Sequence, residues 1–394
     1  MKTLRIVLLV FATWLLWLII SQYFFCARFQ FEDPIPFEGT TLFNPYQSIQ
    51  SQNWVKCNFH AHAKAWSGLT NGHGDASAIH NAYHSLNYGI HCVSNYHQID
   101  STNALDKGFI TAYEHGYNVS KTHQLVLGSN KVVWLDYLLP QTFHNKQHIL
   151  KNLYDPDAVV ILNHPEMRRG YTESDFANLT NYDCMEVLNP SVTSTKEWDA
   201  ALSAGRKVFI VGNDDLHNVI DKVRLGKMCT FVNVPKNHGN LVLKALKSGE
   251  SYGVALGQNQ HIDSIPYLDY VKVNHDTVRI AMDQTAQEVT VTGQNGKILA
   301  TFKNTKNVVF QVKQTDHYAR ATFKYHNGTI LFLNPVFFTS EAGYSETTVY
   351  ENKNETAIFR SLGVIILSLW LFFVWMIVTG NRSQRYRRGR LSLK

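Results

Sequence analysis

Charge is what two stretches of this 394-residue chain lack. From Ile6 to Ala27 (IVLLVFATWLLWLIISQYFFCA) and from Ser361 to Gly380 (SLGVIILSLWLFFVWMIVTG) there is no Asp, Glu, Lys or Arg. Each run is long enough to span a bilayer as a helix. With no acidic or basic residue inside either span, a permeation or proton path has nothing to carry it, which argues against a transporter. No small-x-small site follows the first run, and the run exceeds the apolar part of a usual signal peptide, so it reads as an uncleaved anchor. Cys26, in FFC, lacks the small residues expected before a lipidated cysteine.

Cysteine is also scarce. The four between the spans, Cys57, Cys92, Cys184 and Cys229, each sit in an apolar strand-like segment (WVKCNF, GIHCVSN, YDCMEVL, KMCTFVNV). They read as small buried hydrophobes rather than disulfide partners, even on the oxidising side of a membrane. The sequence has no internal repeat.

The net excess of positive charge is confined to the ends. Arg382, Arg385, Arg387, Arg388, Arg390 and Lys394 account for the whole net charge of +6, and Lys2 and Arg5 precede the first span, leaving about −2 for the rest. Both termini are therefore expected in the cytoplasm of a membrane-anchored chain, with the main domains extracytoplasmic. The basic balance reflects topology and gives no case for a nucleic-acid partner.

Between the spans, residues 54–255 alternate apolar strand segments (VKCNFHA, GIHCVSN, HQLVLGSN, AVVILNH, CMEVLN, KVFIVGN, MCTFVNV) with helix-length stretches. That alternation predicts an α/β domain, a parallel sheet covered by helices, open or closed as a barrel. Residues 267–340 change to closely spaced strands, with hairpin signals at Asn295-Gly296 and Asn327-Gly328, and predict a small antiparallel β-sandwich. A polar linker, 341–360, leads to the second span, 361–380, and a basic tail, 381–394.

Of 18 histidines, the informative ones follow apolar strands. In NFHAH, His60 and His62 are two apart, so both imidazoles point to one side of a strand and suit one metal ion. His97 ends SNYH, His164 ends ILNH, and Asp215 and His217 stand two apart in NDDLH. Strand ends of an α/β domain that each deliver His or Asp to one rim build a site there.

The order of these motifs resembles the polymerase and histidinol phosphatase (PHP) superfamily over residues 54–255, including EVLN at Glu186–Asn189 and the closing ALKSGESYG. YARATFKY and LNPVFF in the β-region also look like the closing strands of extracytoplasmic PHP proteins. The resemblance implies a distorted (β/α)7 barrel holding one to three divalent ions (Zn, Mn or Fe) that activate water against a phosphoester. It implies that His60, His62 and Asp215 hold one ion, His164 helps hold a second, and His97 with His217 a third.

The sequence departs from the family pattern at three places. Asn95-Tyr96-His97 stands for the family's TDH, Ser67-Gly68 for an early acid, and Gly128-Ser129-Asn130, followed by Lys131, for the glycine-linked bridging Glu. His73 in NGHG is a candidate replacement for the early acid, Asn130 a candidate weak ligand, and His144 or His148 a candidate for the ligand before His164-Pro165. Glu166, Arg168 and Arg169 follow that dipeptide within reach of an anionic substrate or as solvated loop charges. Four sequons, at Asn118, Asn178, Asn327 and Asn354, fit N-glycosylation on the outward side. These observations predict a membrane-anchored metal-dependent hydrolase of phosphoesterase type acting on an anionic, phosphorylated substrate. The alternative is a degenerate PHP domain that binds one ion or none and serves as a ligand-binding or assembly module.

Overall fold

The computed structural model describes residues 2–261 and 264–391, and side chains as far as residue 379. The basic run from Arg382 to Lys394, on which the orientation argument partly rests, lies outside the described side chains. Among the described residues there are six α-helices: α1 (Lys2–Tyr23), α2 (Ala76–Ser85), α3 (Phe143–Leu153), α4 (Thr195–Ser203), α5 (Gly239–Ser248) and α6 (Lys353–Leu391). The chain divides into two compact units. One comprises residues 1–31, 137–148 and 349–394, the other 32–136 and 149–348.

In the first unit, α1 and α6 contain the two apolar runs, at Thr3–Tyr23 and Lys353–Thr379, each long and apolar enough to cross a membrane. The second helix begins at Lys353, inside the stretch read as a polar linker, because Asn352 Oδ1 accepts the Glu355 N–H and caps its first turn. Trp370 Nε1 donates to Thr13 Oγ1 at 2.9 Å, and Gly363 lies against Ile20, Phe24 and Phe25. Arg28 pairs with Glu355 at 3.1 Å.

In the second unit, seven strands carry the motifs: β1 (Trp54–Asn58), β2 (Ile90–His91), β3 (Ala112–His115), β4 (Gln124–Leu127), β5 (Val159–Leu162), β6 (Cys184–Asn189) and β7 (Phe209–Gly212). β1 pairs with β2 in parallel, and β5, β6 and β7 are mutually parallel. The expectation of a parallel sheet fails at β4, which runs antiparallel to both β3 and β5. The cause is local: the link from β3 to β4 is too short for the crossover of a dozen residues that a parallel pair needs. Backbone hydrogen bonds beyond the strand ends join the β1–β2 pair to the other five strands at both margins. Glu114 N–H reaches Ser94 O at 3.2 Å on one side, and His62 N–H reaches Leu216 O at 2.7 Å on the other.

The C-terminal strands extend this architecture. β8 (Met228–Asn233) pairs antiparallel with β1 and with β9 (Ser251–Ala255). They are followed by β10 (Leu268–Asn274), β11 (Thr277–Thr292), β12 (Ile298–Gln311), β13 (Tyr318–Lys324), β14 (Ile330–Leu333) and β15 (Val336–Thr339). β9 pairs with β14, so the C-terminal strands continue the sheet that contains β1. At the β11–β12 turn Asn295 (φ 56) and Gly296 (φ 72) both take the positive φ expected, whereas at the Asn327-Gly328 turn only Gly328 (φ 86) does. All five cysteines are free and buried.

Two polar contacts fasten the C-terminal strands to the α/β layer. Asn334 Oδ1 accepts the Ile210 N–H at 2.8 Å, and its Nδ2 donates to Ser251 O at 2.9 Å. Arg320 on β13, only 6% exposed, grips Asp199 of α4 through both carboxylate oxygens, at 2.7 and 2.6 Å. Removing one partner of a buried pair strands the other charge in a medium that solvates it poorly. Asp199→Ala should therefore cost about 3–5 kcal/mol, measured by urea unfolding of the purified chain. A midpoint equal to wild type would show that the pair does not hold the strands.

Candidate metal centre

The segment just beyond β1 carries His60 and His62, and their rings converge although two residues separate them. His60 Nε2 and His62 Nε2 are 3.1 Å apart. Glu114 Oε2, from β3, lies 3.3 Å from His60 Nε2 and 3.1 Å from His62 Nε2. Asp215 Oδ1, just past β7, lies 3.3 and 3.7 Å from the same two nitrogens. Ligand bonds of about 2.0–2.2 Å in a tetrahedron imply donor separations of roughly 3.3–3.6 Å, so this spacing is that of one ion's ligand set. Glu114 Oε2 and Asp215 Oδ1 are buried and accept no hydrogen bond. Orphaned carboxylate oxygens aimed at neighbouring imidazoles fit a bound cation.

The other oxygen of Glu114 faces a second group. His123 Nδ1 lies 2.8 Å from Glu114 Oε1 and His164 Nε2 lies 3.5 Å from it, while Asn163 Nδ2 donates to it at 3.0 Å. Glu114, His123 and His164 bring donor atoms within 4.8 Å of one another, as do His62, Asp215 and His217. A single carboxylate, 0% exposed, thus stands between two imidazole pairs.

Hydrogen bonds around these groups fix their tautomers and orientation. His60 Nδ1 donates to Glu186 Oε2 at 2.8 Å, which leaves the Nε2 lone pair for the site. Glu186 is in turn held by Asn189 at 2.7 Å and Asn213 at 3.0 Å. Asp214, next to Asp215, accepts the backbone N–H groups of Gly226, Lys227 and Met228 and the Tyr83 hydroxyl, which pins the loop carrying Arg224. Arg224 Nη1 lies 3.2 Å from Asp215 Oδ2, and its other amino group bonds Ser191 Oγ. Asp215 (φ 46), His164 (φ 30) and His97 (φ 49) hold left-handed backbone that non-glycine residues seldom adopt, a strain often found at functional sites.

Of the residues expected from sequence, His60, His62, His164, Asp215 and His217 meet here. His97 does not. Its Nδ1 faces Val133 O at 3.2 Å and its Nε2 accepts the Gly116 N–H at 3.0 Å, so both ring nitrogens are spent. Tyr96 is adjacent instead, its ring stacked on that of His62 at 4.6 Å between centroids. His73 is exposed. His144 Nδ1 accepts the Phe29 N–H, and His148 bonds the Tyr137 hydroxyl. Arg168 and Arg169 lie exposed on the turn after His164-Pro165.

The bridging carboxylate thought to be replaced by Gly128-Ser129-Asn130 is a correction. Because β4 runs antiparallel to β3, its C-terminal end, with exposed Asn130, lies away from the rim, while His123 at its start lies on it. The carboxylate that stands between the two imidazole pairs is Glu114, in YEHG at the end of β3. That glutamate, two residues before a glycine and closing a strand, was the available signal, with His123 opening the next apolar run.

Electrostatics follow from this crowding. Burial opposes a proton on His60, yet Glu186, Glu114 and Asp215 together hold its pKa well above the usual histidine value; His164 is also raised, against burial, by Glu114 and Asp215. Burial would raise Asp215, but His60, His217 and His164 bring it down to about 2. Burial lowers His97 and His217 to about 4, helped by neighbouring imidazoles. A divalent cation held by these residues would take the place of the imidazole protons as the partner of the same carboxylates.

The signs give a testable profile for the chelated protein. Groups with raised folded-state pKa (His60, His164) lose their stabilisation as pH rises above the unfolded value, and those with lowered pKa (His97, His217) destabilise the fold as pH falls below it. With EDTA present, the urea midpoint should peak near about pH 6.5 and fall on both sides. His60→Gln should flatten the alkaline limb alone; an alkaline limb unchanged in that variant would contradict the assignment.

Comparison with known proteins gives the following. No protein-family model matches the chain, and no curated protein matches it. PsfC from Pseudomonas syringae PB-5123 is similar over 50% of this chain and 90% of its own, with 14% identity and a TM-score of 0.35. A two-domain protein from Bacteroides vulgatus ATCC 8482, containing a predicted PHP-like metal-dependent phosphoesterase, is similar over 79% of this chain and 99% of its own, with 12% identity and a TM-score of 0.40.

Proposed function

We propose that this chain is a membrane-anchored, extracytoplasmic metal-dependent hydrolase of PHP type that cleaves a phosphoester. Its seven motif-bearing strands would form a distorted barrel, closed where β2 leads to Glu114 and where β7 leads past Asp215 to Leu216. The C-terminal strands would form the sandwich. α1 and α6 would anchor the chain with both termini in the cytoplasm. The observation that carries the reading is Glu114, whose two oxygens face separate sets of imidazoles.

His60, His62, Asp215 and Glu114 would hold one ion, and His123, His164 and Glu114 a second. His217, beside Asp215, is placed to join a third. Bound there, divalent ions supply Lewis acidity to a phosphoester oxygen and lower the pKa of water into the neutral range. The protein's own part is positional and electrostatic. Glu114, whose two oxygens face the two sets of imidazoles, would supply negative charge to both positions and offset the repulsion between the ions held there. Tyr96 covers one face of His62. Arg224, its side chain one-third exposed, pairs with Asp215 Oδ2 and would present a guanidinium to an anionic group at the rim. Arg168 and Arg169 add positive charge from the turn after His164-Pro165.

Elemental analysis of the full-length chain purified in detergent tests this reading. Wild type should carry at least about two ions per chain, as a two-ion site requires. Glu114→Gln should weaken both sites and lower hydrolysis of bis(p-nitrophenyl) phosphate at least about 100-fold, whereas His60→Ala/His62→Ala should spare the ion at His123 and His164. Less than about half an ion in wild type would overturn the hydrolase and leave an anchored binding module.

A further inference from the structure

Exposed apolar side chains gather on three segments beside the carboxylate-centred site. After His62 the chain turns through Trp66 and Leu69, the latter 91% exposed. After Asp215 a second loop carries Ile220 and Val223, 75% and 69% exposed. Backbone hydrogen bonds join these two loops: His73 N–H donates to His217 O at 2.7 Å, and Val219 N–H to His73 O at 3.4 Å. The third segment, 131–136, returns from the far end of β4 along β3. There Val133 N–H donates to the Tyr113 hydroxyl at 3.2 Å, and His115 Nε2 lies 2.9 Å from Leu135 O. The return brings Trp134 against Trp66, with ring centroids 5.9 Å apart, and both indoles remain exposed. Trp66 Nε1 donates to Tyr96 O at 2.7 Å, and Tyr96 stacks on His62, so the indole pair adjoins the site.

Apolar surface concentrated around one opening marks a place where something docks. Indoles settle at the headgroup level of a bilayer, and aliphatic side chains gain by entering the layer beneath. On the two loops after β1 and β7, Lys64, Lys222 and Arg224 outnumber the one acid, Asp221, which suits anionic headgroups. The covalent connection favours a bilayer over other apolar partners. Gln22 and Tyr23, at the end of α1, donate to Leu139 O and Pro140 O, each at 2.8 Å. Trp134 precedes Leu139 by five residues, which extend over at most about 18 Å. With α1 as an anchor, a lipid surface is within reach of these loops.

We propose that these loops dock on a lipid bilayer, and that the phosphoester cleaved at the carboxylate-centred site is the headgroup phosphodiester of a glycerophospholipid still seated in the membrane. The substrate class rests on the hydrolase reading, whereas the docking does not. In the reaction the oxygen of water bonds to phosphorus, one P–O ester bond breaks, and the released alcohol takes a proton from that water. Trp66 and Trp134 sit at the headgroup level, Leu69 and Ile220 enter the apolar layer, and Arg224 faces the phosphate.

The test uses the full chain in liposomes of phosphatidylcholine and phosphatidylglycerol. All five native cysteines are buried, so a nitroxide reagent labels an introduced Leu69→Cys or Ile220→Cys selectively. Power-saturation electron paramagnetic resonance should find both labels more accessible to oxygen than to a water-soluble nickel chelate, and a label at Ile298→Cys, exposed on β12, the reverse. Labels at 69 and 220 as open to the chelate as the one at 298 would overturn the docking. Leu69→Asp/Ile220→Asp should slow glycerol release from phosphatidylglycerol at least about tenfold, with hydrolysis of soluble bis(p-nitrophenyl) phosphate changed less than about twofold. Wild type that cleaves the soluble ester but not the lipid would overturn the substrate class. Wild type that cleaves neither would overturn the hydrolase and the substrate class together, and the labels would still decide the docking.

Discussion

A carboxylate with no exposed surface must be compensated from within the protein, and Glu114 is compensated on both of its oxygens. One side faces His60, His62 and Asp215, the other His123, His164 and Asn163. The surrounding architecture follows from this requirement. Residues beyond β1, β5 and β7, one within β3 and the one preceding β4 must reach a single point, and the hydrogen bonds at the two sheet margins bring them there. The Glu186–Asn189–Asn213 network then sets the orientation of His60.

The arrangement of the strands explains which parts of the site could be seen in the sequence. His60, His62, His164, Asp215 and His217 were legible because each follows its apolar strand, and parallel strands bring such residues to one end. His123 was not, because it precedes its strand, and only an antiparallel β4 turns that position toward the rim. The same reversal carries Gly128-Ser129-Asn130 away, so the end of β4 where the motif order places a carboxylate is the end remote from the rim. His97 kept its place in the motif order, but its ring is consumed by Val133 and Gly116. Spacing gives no information about hydrogen-bond partners.

Much of the fold was readable: the two apolar helices, the α/β alternation, the buried thiols and the run of C-terminal strands. The β9–β14 pairing that merges those strands into the sheet of β1 was not readable. It depends on long-range register and on Asn334 and Arg320, polar residues whose buried partners lie more than a hundred positions away. Local periodicity identifies strands, but which of them become neighbours is decided by such contacts.

The central claim concerns one carboxylate shared by two cations. Anomalous diffraction from crystals of the chain grown with Mn2+ tests it most directly. The account predicts two peaks, one among His60, His62 and Asp215 and one between His123 and His164, with Glu114 touching both. Glu114 closed onto protonated imidazoles with no peak beside it would contradict the account.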